Sequence, residues 1–269
     1  MKTLQELTLL DRFLFDEAME DKEIHEALLK IILGEDAVRL LDEVETEKEL
    51  RTMPWLKSIR VDVFAVDDKG EVYNTEMQKQ VRNDLIKRSR YYQALIDSSL
   101  LQPGETDYNK LNDCTIVMIT PYDLFGQGKY LYEFCEACTT EGHLYLGDGA
   151  RRIFVNTHGK NVDEVSPELV ELCYLIEYNE AKEESLYEQS KLLDVIRRKV
   201  KLIQSSEKVG VKYMQKWEAD AYIRQETRIE MISEFISKGG TAEEAKKMLN
   251  ATDEEISAAR PGYKANLDF

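Results

Sequence analysis

The sequence predicts an α/β fold, a mixed sheet flanked by helices, followed by a mostly helical C-terminal region. Three observations carry this expectation. Ile59–Val66 and residues 71–78 are extended, β-rich runs separated by the turn chemistry of Asp67-Asp68-Lys69-Gly70, which together read as a hairpin. Cys114–Thr120 is a continuous apolar run of strand length, the pattern of a central strand covered on both faces. After Asn179 the strand signals vanish, and apolar and charged residues alternate at helical spacing through Ser237.

Taken in order, residues 4–19 and Lys22–Leu33 carry leucines and isoleucines at helical spacing, with Asp21 as an N-cap and Gly34 as a stop. Residues 35–57 are acidic and weakly periodic, a connector in which Pro54 ends any helix. Beyond the hairpin, residues 79–101 return to a helical pattern, with Leu85, Tyr92 and Leu95 or Ile96 on one side and basic residues elsewhere, closed by Pro103-Gly104. Further strands are expected at residues 130–138 and 152–156, and a helix at Pro167–Tyr178 with its proline in the first turn. The change of character after Tyr178 divides the chain into residues 1–178 and 179–269. In the second part Gly239-Gly240 breaks the long helix, and Thr241 caps the first of two short terminal helices, 242–249 and 253–260.

A chain of 269 residues with 43% hydrophobic content can bury one substantial core and a smaller second region. Its start lacks the apolar stretch of a signal peptide, no segment has the length of a bilayer span, and four cysteines suit a reducing compartment. These features point to a cytoplasmic protein with no membrane partner. A net charge of −16 opposes binding to polyanions. Against that total, the segment from Lys79 to Tyr92 holds Lys79, Arg82, Lys87, Arg88 and Arg90 with only Asp84 to offset them, a local stripe fit for phosphate contact. The same stripe also has the composition of an ordinary solvated helix face.

The hairpin carries the chemistry. A three-residue loop, Asp68-Lys69-Gly70, places Asp62 opposite Glu76, and alternation along the strand puts Gln78 on the same face as Glu76. Directly opposed residues have Cβ atoms about 4.5–5.5 Å apart, so two carboxylates there repel unless a cation lies between them. Mg²⁺ or Mn²⁺ takes oxygen ligands and needs only one or two carboxylates when phosphate and water complete its shell. Asp62 and Glu76 fill that role, the backbone carbonyl of Met77 offers a third oxygen, and Gln78 can orient a water activated for attack on a phosphodiester.

These residues resemble the PD-(D/E)XK nuclease family transposases, also described as recombination-promoting nucleases. Arg60-Val61-Asp62-Val63 is similar to the family's aspartate strand, Tyr73-Asn74-Thr75-Glu76-Met77-Gln78 to its E-x-Q strand, and Arg88-Ser89-Arg90-Tyr91-Tyr92-Gln93 to the helix that follows. Leu9-Leu10-Asp11-Arg12-Phe13-Leu14-Phe15 and Leu146-Gly147-Asp148-Gly149-Ala150 also match, so the resemblance covers residues 4–178. It implies a restriction-endonuclease-like core, a metal-dependent endonuclease acting on DNA in recombination or transposition, and catalytic roles for Asp62, Glu76 and Gln78. Two positions depart from the wider nuclease pattern. Gln78 stands where that superfamily has lysine, so it supplies no charge to the developing transition state. Arg12 stands where an assisting aspartate is expected on the first helix, leaving Asp11 and Asp16 as nearby substitutes.

Other signals are weaker. Cys135-x-x-Cys138 with His143 falls short of four zinc ligands, and Gly126-Gln127-Gly128 lacks the rest of a dinucleotide fingerprint. The terminal helices have the outline of a small helix-turn-helix without its basic charge, which favours packing or homo-oligomer formation. Two readings therefore compete with the nuclease: a DNA-binding protein of mobile-element origin that has lost catalysis, and an oligomeric interaction scaffold.

Overall fold

The computed structural model describes residues 2–34, 38–41, 44–50, 59–101 and 104–259. Among the described residues, six strands form one mixed sheet: β1 (Glu45–Leu50), β2 (Ile59–Val66), β3 (Val72–Met77), β4 (Cys114–Thr120), β5 (Leu131–Phe134) and β6 (Ala150–Asn156), in the spatial order β1-β2-β3-β4-β6-β5. The β1–β2, β2–β3 and β5–β6 pairs are antiparallel, and β3–β4 and β4–β6 are parallel. Every residue of β4 is buried, as its unbroken apolar run requires of an interior strand.

The hairpin has the anticipated register, with Val63 opposite Thr75 and Val66 opposite Val72. Its loop is held by Asp67, whose N–H donates to the Glu71 carbonyl while its carboxylate accepts from the N–H groups of Lys69 and Glu71. Gly70 takes φ +87°, a conformation that costs glycine little and other residues more.

The helix α1 (Arg12–Met19) is followed by α2 (Lys22–Leu33), and α3 (Leu85–Leu100) follows the hairpin. Helix α3 covers one face of the sheet, its Leu85, Tyr92, Leu95 and Ile96 packing with Phe64, Val72, Ile116, Met118 and Phe154. On the opposite face, buried His25 of α2 meets Thr75 of β3 through its Nε2, 3.0 Å from the hydroxyl. Helix α4 (Pro167–Tyr178) begins at a Ser166 cap and ends at Asn179, a left-handed residue. Helices α5 (Glu184–Gln189) and α6 (Lys191–Gln204) complete the first compact unit, Met1–Ser206.

The second unit, Glu207–Phe269, contains α7 (Glu207–Ser237), α8 (Ala242–Leu249) and α9 (Asp253–Ala258). Thr241 and Thr252 each form a capping box, with Glu244 and Glu255 respectively. Ile232, Ala245, Ala251, Ile256 and Ala259 make its small core.

Several expectations need correction. Residues 4–19 are not one helix: a 3-10 turn at Leu4–Glu6 ends at Leu7, the Asp11 carboxylate accepts from the Thr8 N–H, and α1 starts at Arg12 after the extended backbone of Asp11. The acidic connector contains β1, which among the described residues is an end strand of the sheet, a position where charged sequence is common. Pro54, Pro103 and Arg260 lie outside the described residues. Residues 79–84 precede α3 rather than belonging to it, so Lys79 and Arg82 are not on the helix. Strand β5 stops at Phe134. The compact unit runs past Tyr178 to Ser206, because α6 buries Leu193, Ile196 and Val200 and packs on α2 and α4.

Candidate active site

Adjacent antiparallel strands β2 and β3 bring Asp62 and Glu76 together, both buried, on the face covered by α3. The Asp62 N–H donates to Glu76 Oε1 at 2.8 Å. The Asn74 amide, oriented with its nitrogen toward acceptors, donates to the same Oε1 at 3.3 Å and to the Val63 carbonyl at 3.1 Å. Burial and the neighbouring charge of Asp62 push the Glu76 carboxyl well above the ordinary carboxylate range, while the Asp62 N–H and Arg88 pull it partly back. A neighbouring positive charge relieves a conflict of this kind between two carboxylates.

Among the described residues, two arginines from different helices reach the pair. Arg12 of α1 places Nη2 2.9 Å from Asp62 Oδ1 and Nε 3.5 Å from Asp16 Oδ2, so its guanidinium bridges two carboxylates. Arg88 of α3 places Nη2 3.4 Å from Glu76 Oε2 and donates from Nη1 to Gln78 Oε1 at 2.9 Å. Its Nε donates to the Tyr92 hydroxyl at 2.6 Å, and its guanidinium carbon lies 4.9 Å from the centre of that ring. Burial pushes the Tyr92 hydroxyl up to about 12, which keeps it protonated.

Gln78 follows the end of β3, its N–H continuing the ladder to the Ile119 carbonyl at 2.9 Å. Its side chain is engaged at both ends, since Nε2 donates to the Gln80 carbonyl at 3.1 Å. Met77, the last residue of β3, is buried between Glu76 and Gln78 in the chain. Of the two acids at the first helix, Asp16 lies within α1, is buried and joins the site through Arg12, whereas Asp11 precedes α1, pairs with Lys79 at 2.7 Å and accepts from the Thr8 N–H.

The basic stripe divides. Lys79 is paired with Asp11, Arg82 with Asp84 at 3.0 Å, and Arg88 is drawn into the site. Lys87 and Arg90 are exposed on α3. From the sequence, Arg88 is expected only as a phosphate-contact residue and Tyr92 only on the apolar side of its helix. The available signal was their four-residue separation, which stacks them on one helix face.

The donor set fits a hard divalent ion: carboxylate, carbonyl and amide oxygens without thiolates. Among the described residues, no group of three or more His, Cys, Asp and Glu side chains stands ready to hold a metal. The Asp62–Glu76 pair would hold such an ion only with water, the Met77 carbonyl or substrate phosphate completing its shell. Cys135 is exposed after β5, and Cys138 Sγ lies 3.1 Å from Thr140 Oγ1. Gly126 and Gly128 both have positive φ in a loop organised by Asp123, which accepts from their N–H groups.

A family model described as PD-(D/E)XK nuclease family transposase matches residues 12–227. No curated protein and no solved structure matches the chain. Among the described residues, no helix is long and apolar enough to cross a membrane.

Proposed function

The chain belongs to the PD-(D/E)XK nuclease family transposases, and on that premise we propose that it is a divalent-metal-dependent DNA endonuclease acting in recombination or transposition. The mixed sheet with flanking helices is the restriction-endonuclease-like arrangement. The observation that carries the proposal is the buried Asp62–Glu76 pair, whose charge conflict a divalent cation would resolve.

Asp62 and Glu76 would hold Mg²⁺ or Mn²⁺, with the Met77 carbonyl as a further ligand. The ion would supply Lewis acidity and an activated water for phosphodiester hydrolysis. Glu76 is kept in place by the Asp62 N–H and the Asn74 amide, so its carboxylate has little freedom to turn away. Asp16 would contribute charge from α1 through Arg12. Lys87 and Arg90 would meet the DNA backbone from exposed positions on α3, with Lys79 and Arg82 contributing less because each already has an acidic partner. Four free cysteines accord with a cytoplasmic location.

A second reading is favoured by Arg12, whose guanidinium on Asp62 and Asp16 occupies the electrostatic role of a cation. In that reading the protein binds DNA without cutting it. An oligomeric role would use exposed apolar residues of α7 such as Val211, Met214 and Trp217. Incubating supercoiled plasmid with the full-length protein, with Mg²⁺, Mn²⁺ or a chelator, separates these readings. Nicking or linearisation that requires the metal and vanishes in Asp62→Ala supports the nuclease, whereas DNA retention without cleavage under either metal supports the second reading.

A further inference from the structure

We propose that Arg88 of α3 is the phosphate-facing cation of this site, and that Gln78 and Tyr92 are positioning residues that aim it. The inference rests on the nuclease reading of the Asp62–Glu76 pair, and it concerns the charge that Gln78 itself cannot provide.

A guanidinium presents five N–H donors in a rigid plane, so fixing two edges fixes the direction of the remainder. Arg88 is fixed in this way. Its Nε donates to the Tyr92 hydroxyl at 2.6 Å, one turn along the same helix, and its Nη1 donates to Gln78 Oε1 at 2.9 Å. The Tyr92 ring lies 4.9 Å from the guanidinium carbon and adds a cation–π contact. The second terminal nitrogen then points to Glu76 Oε2, at a distance of 3.4 Å. This last contact is long for a charge-assisted hydrogen bond. The positive edge of Arg88 is thus directed at the metal-side carboxylate but not consumed by it.

The state of Gln78 supports the same assignment. Both ends of its amide are engaged, the oxygen by Arg88 and the nitrogen by the Gln80 carbonyl. A side chain so held is suited to orienting a neighbour rather than meeting the substrate. The chain therefore delivers its cation from the helix after the hairpin, where the wider nuclease pattern delivers lysine from the strand. Arg88 is 23% exposed through its side chain, enough for an incoming phosphate oxygen to reach it. The arrangement also forbids the simple repair of the motif. A lysine at position 78 would remove the acceptor for Nη1 and set a second cation beside the first.

The test compares full-length wild type, Arg88→Gln, Arg88→Lys and Asp62→Ala, each checked by its melting temperature. Affinity for a short DNA duplex is read by fluorescence anisotropy in Ca²⁺ over a salt series, and metal binding by calorimetry with Mn²⁺ alone. Arg88→Gln should bind DNA roughly tenfold more weakly, with a salt slope smaller by about one, and should still bind Mn²⁺. Wild-type DNA affinity and slope in Arg88→Gln overturn the proposal whether or not the wild type cleaves. Where the wild type cleaves plasmid, Arg88→Gln should be about 10²–10³ slower. Arg88→Lys, which keeps the charge but not the fork, should recover only part of that rate. Adding Gln78→Ala to Arg88→Gln should cost little more, because Gln78 acts through Arg88; fully additive losses would refute the positioning role. Should Arg88→Gln fail to fold, Arg88→Lys decides: cleavage within about threefold of wild type would count against the fork geometry and overturn the assignment. Absence of wild-type cleavage under every metal removes the nuclease reading alone, since the anisotropy result still judges Arg88.

Discussion

The backbone N–H of Asp62 donates to Oε1 of Glu76 at 2.8 Å, so one acidic residue of the site is tethered by the main chain of the other. The carboxylate of Asp62 is left to face Arg12, 2.9 Å away, and that of Glu76 to face Arg88. Entry of the proposed metal would therefore be a competition between the ion and these two guanidinium groups.

The competition predicts the behaviour of Arg12 variants. Arg12→Ala should bind Mn²⁺ more tightly than wild type, by about tenfold, because a cation contacting the proposed ligand Asp62 is removed. Arg12→Asp should bind more tightly still. Calorimetry reads both, and unchanged or weaker affinity in the two variants would show that Arg12 does not compete with the ion.

The exposed cations on α3 predict where DNA lies. Lys87→Glu with Arg90→Glu should weaken duplex binding and reduce the salt slope by about two, one for each phosphate that a side chain no longer neutralises. Lys79→Glu with Arg82→Glu should have a smaller effect, since Asp11 and Asp84 already neutralise those side chains. A binding assay over a salt series checks the order, and equal effects from the two pairs would move the interface.

Much of this site is legible in the sequence, and the reason is local chemistry. Asp68-Lys69-Gly70 specifies a loop with one positive-φ residue, that loop sets the β2–β3 register, and the register opposes Asp62 and Glu76. Asp21, Pro167 and Thr241 mark helix starts for the same kind of reason. Strand β1 is not legible because Glu45, Glu47, Lys48 and Glu49 give it no apolar alternation, and only pairing with β2 defines it. Residues 79–84 look helical from their composition, but the ion pairs Lys79–Asp11 and Arg82–Asp84 belong to a non-helical approach to α3. The convergence of Arg12 and Arg88 joins segments 76 residues apart, and no spacing rule connects them.

The buried His25 predicts a pH dependence. Burial holds its imidazole down at about 3, while in the unfolded chain it titrates near 6.5. Between those values the unfolded state binds a proton that the folded state does not. The stability contribution is therefore complete above pH 6.5 and declines as pH falls toward 3. The full window is worth on the order of several kcal/mol. Denaturant melts from neutral to mildly acidic pH should show this loss, and His25→Gln, which keeps a hydrogen-bonding partner for Thr75 but does not titrate, should flatten it. A wild-type stability that stays level over that range would contradict the neutral, buried assignment.

Glu76 variants separate a metal site from an ordinary buried ion pair. In the metal-free protein, burial and Asp62 both disfavour the charged form of this carboxyl. Glu76→Gln removes the charge but keeps the shape and the Oε1 acceptor for the Asp62 N–H. Arg88 gives up one long hydrogen bond and retains Gln78 and Tyr92. The metal-free variant should therefore melt higher than wild type, by a few degrees for a gain on the order of 1 kcal/mol. The response to metal should invert. Saturating Mn²⁺ raises the wild-type melting temperature by mass action, about 2.7 kcal/mol at roughly a hundred times Kd, whereas Glu76→Gln, with one of its two charged ligands gone, should respond little. If Glu76 instead served only to pair with Arg88, the variant would melt lower without metal, and Mn²⁺ would leave both proteins unmoved. Thermal melts of the two proteins with and without Mn²⁺ distinguish these outcomes without any reference to cleavage.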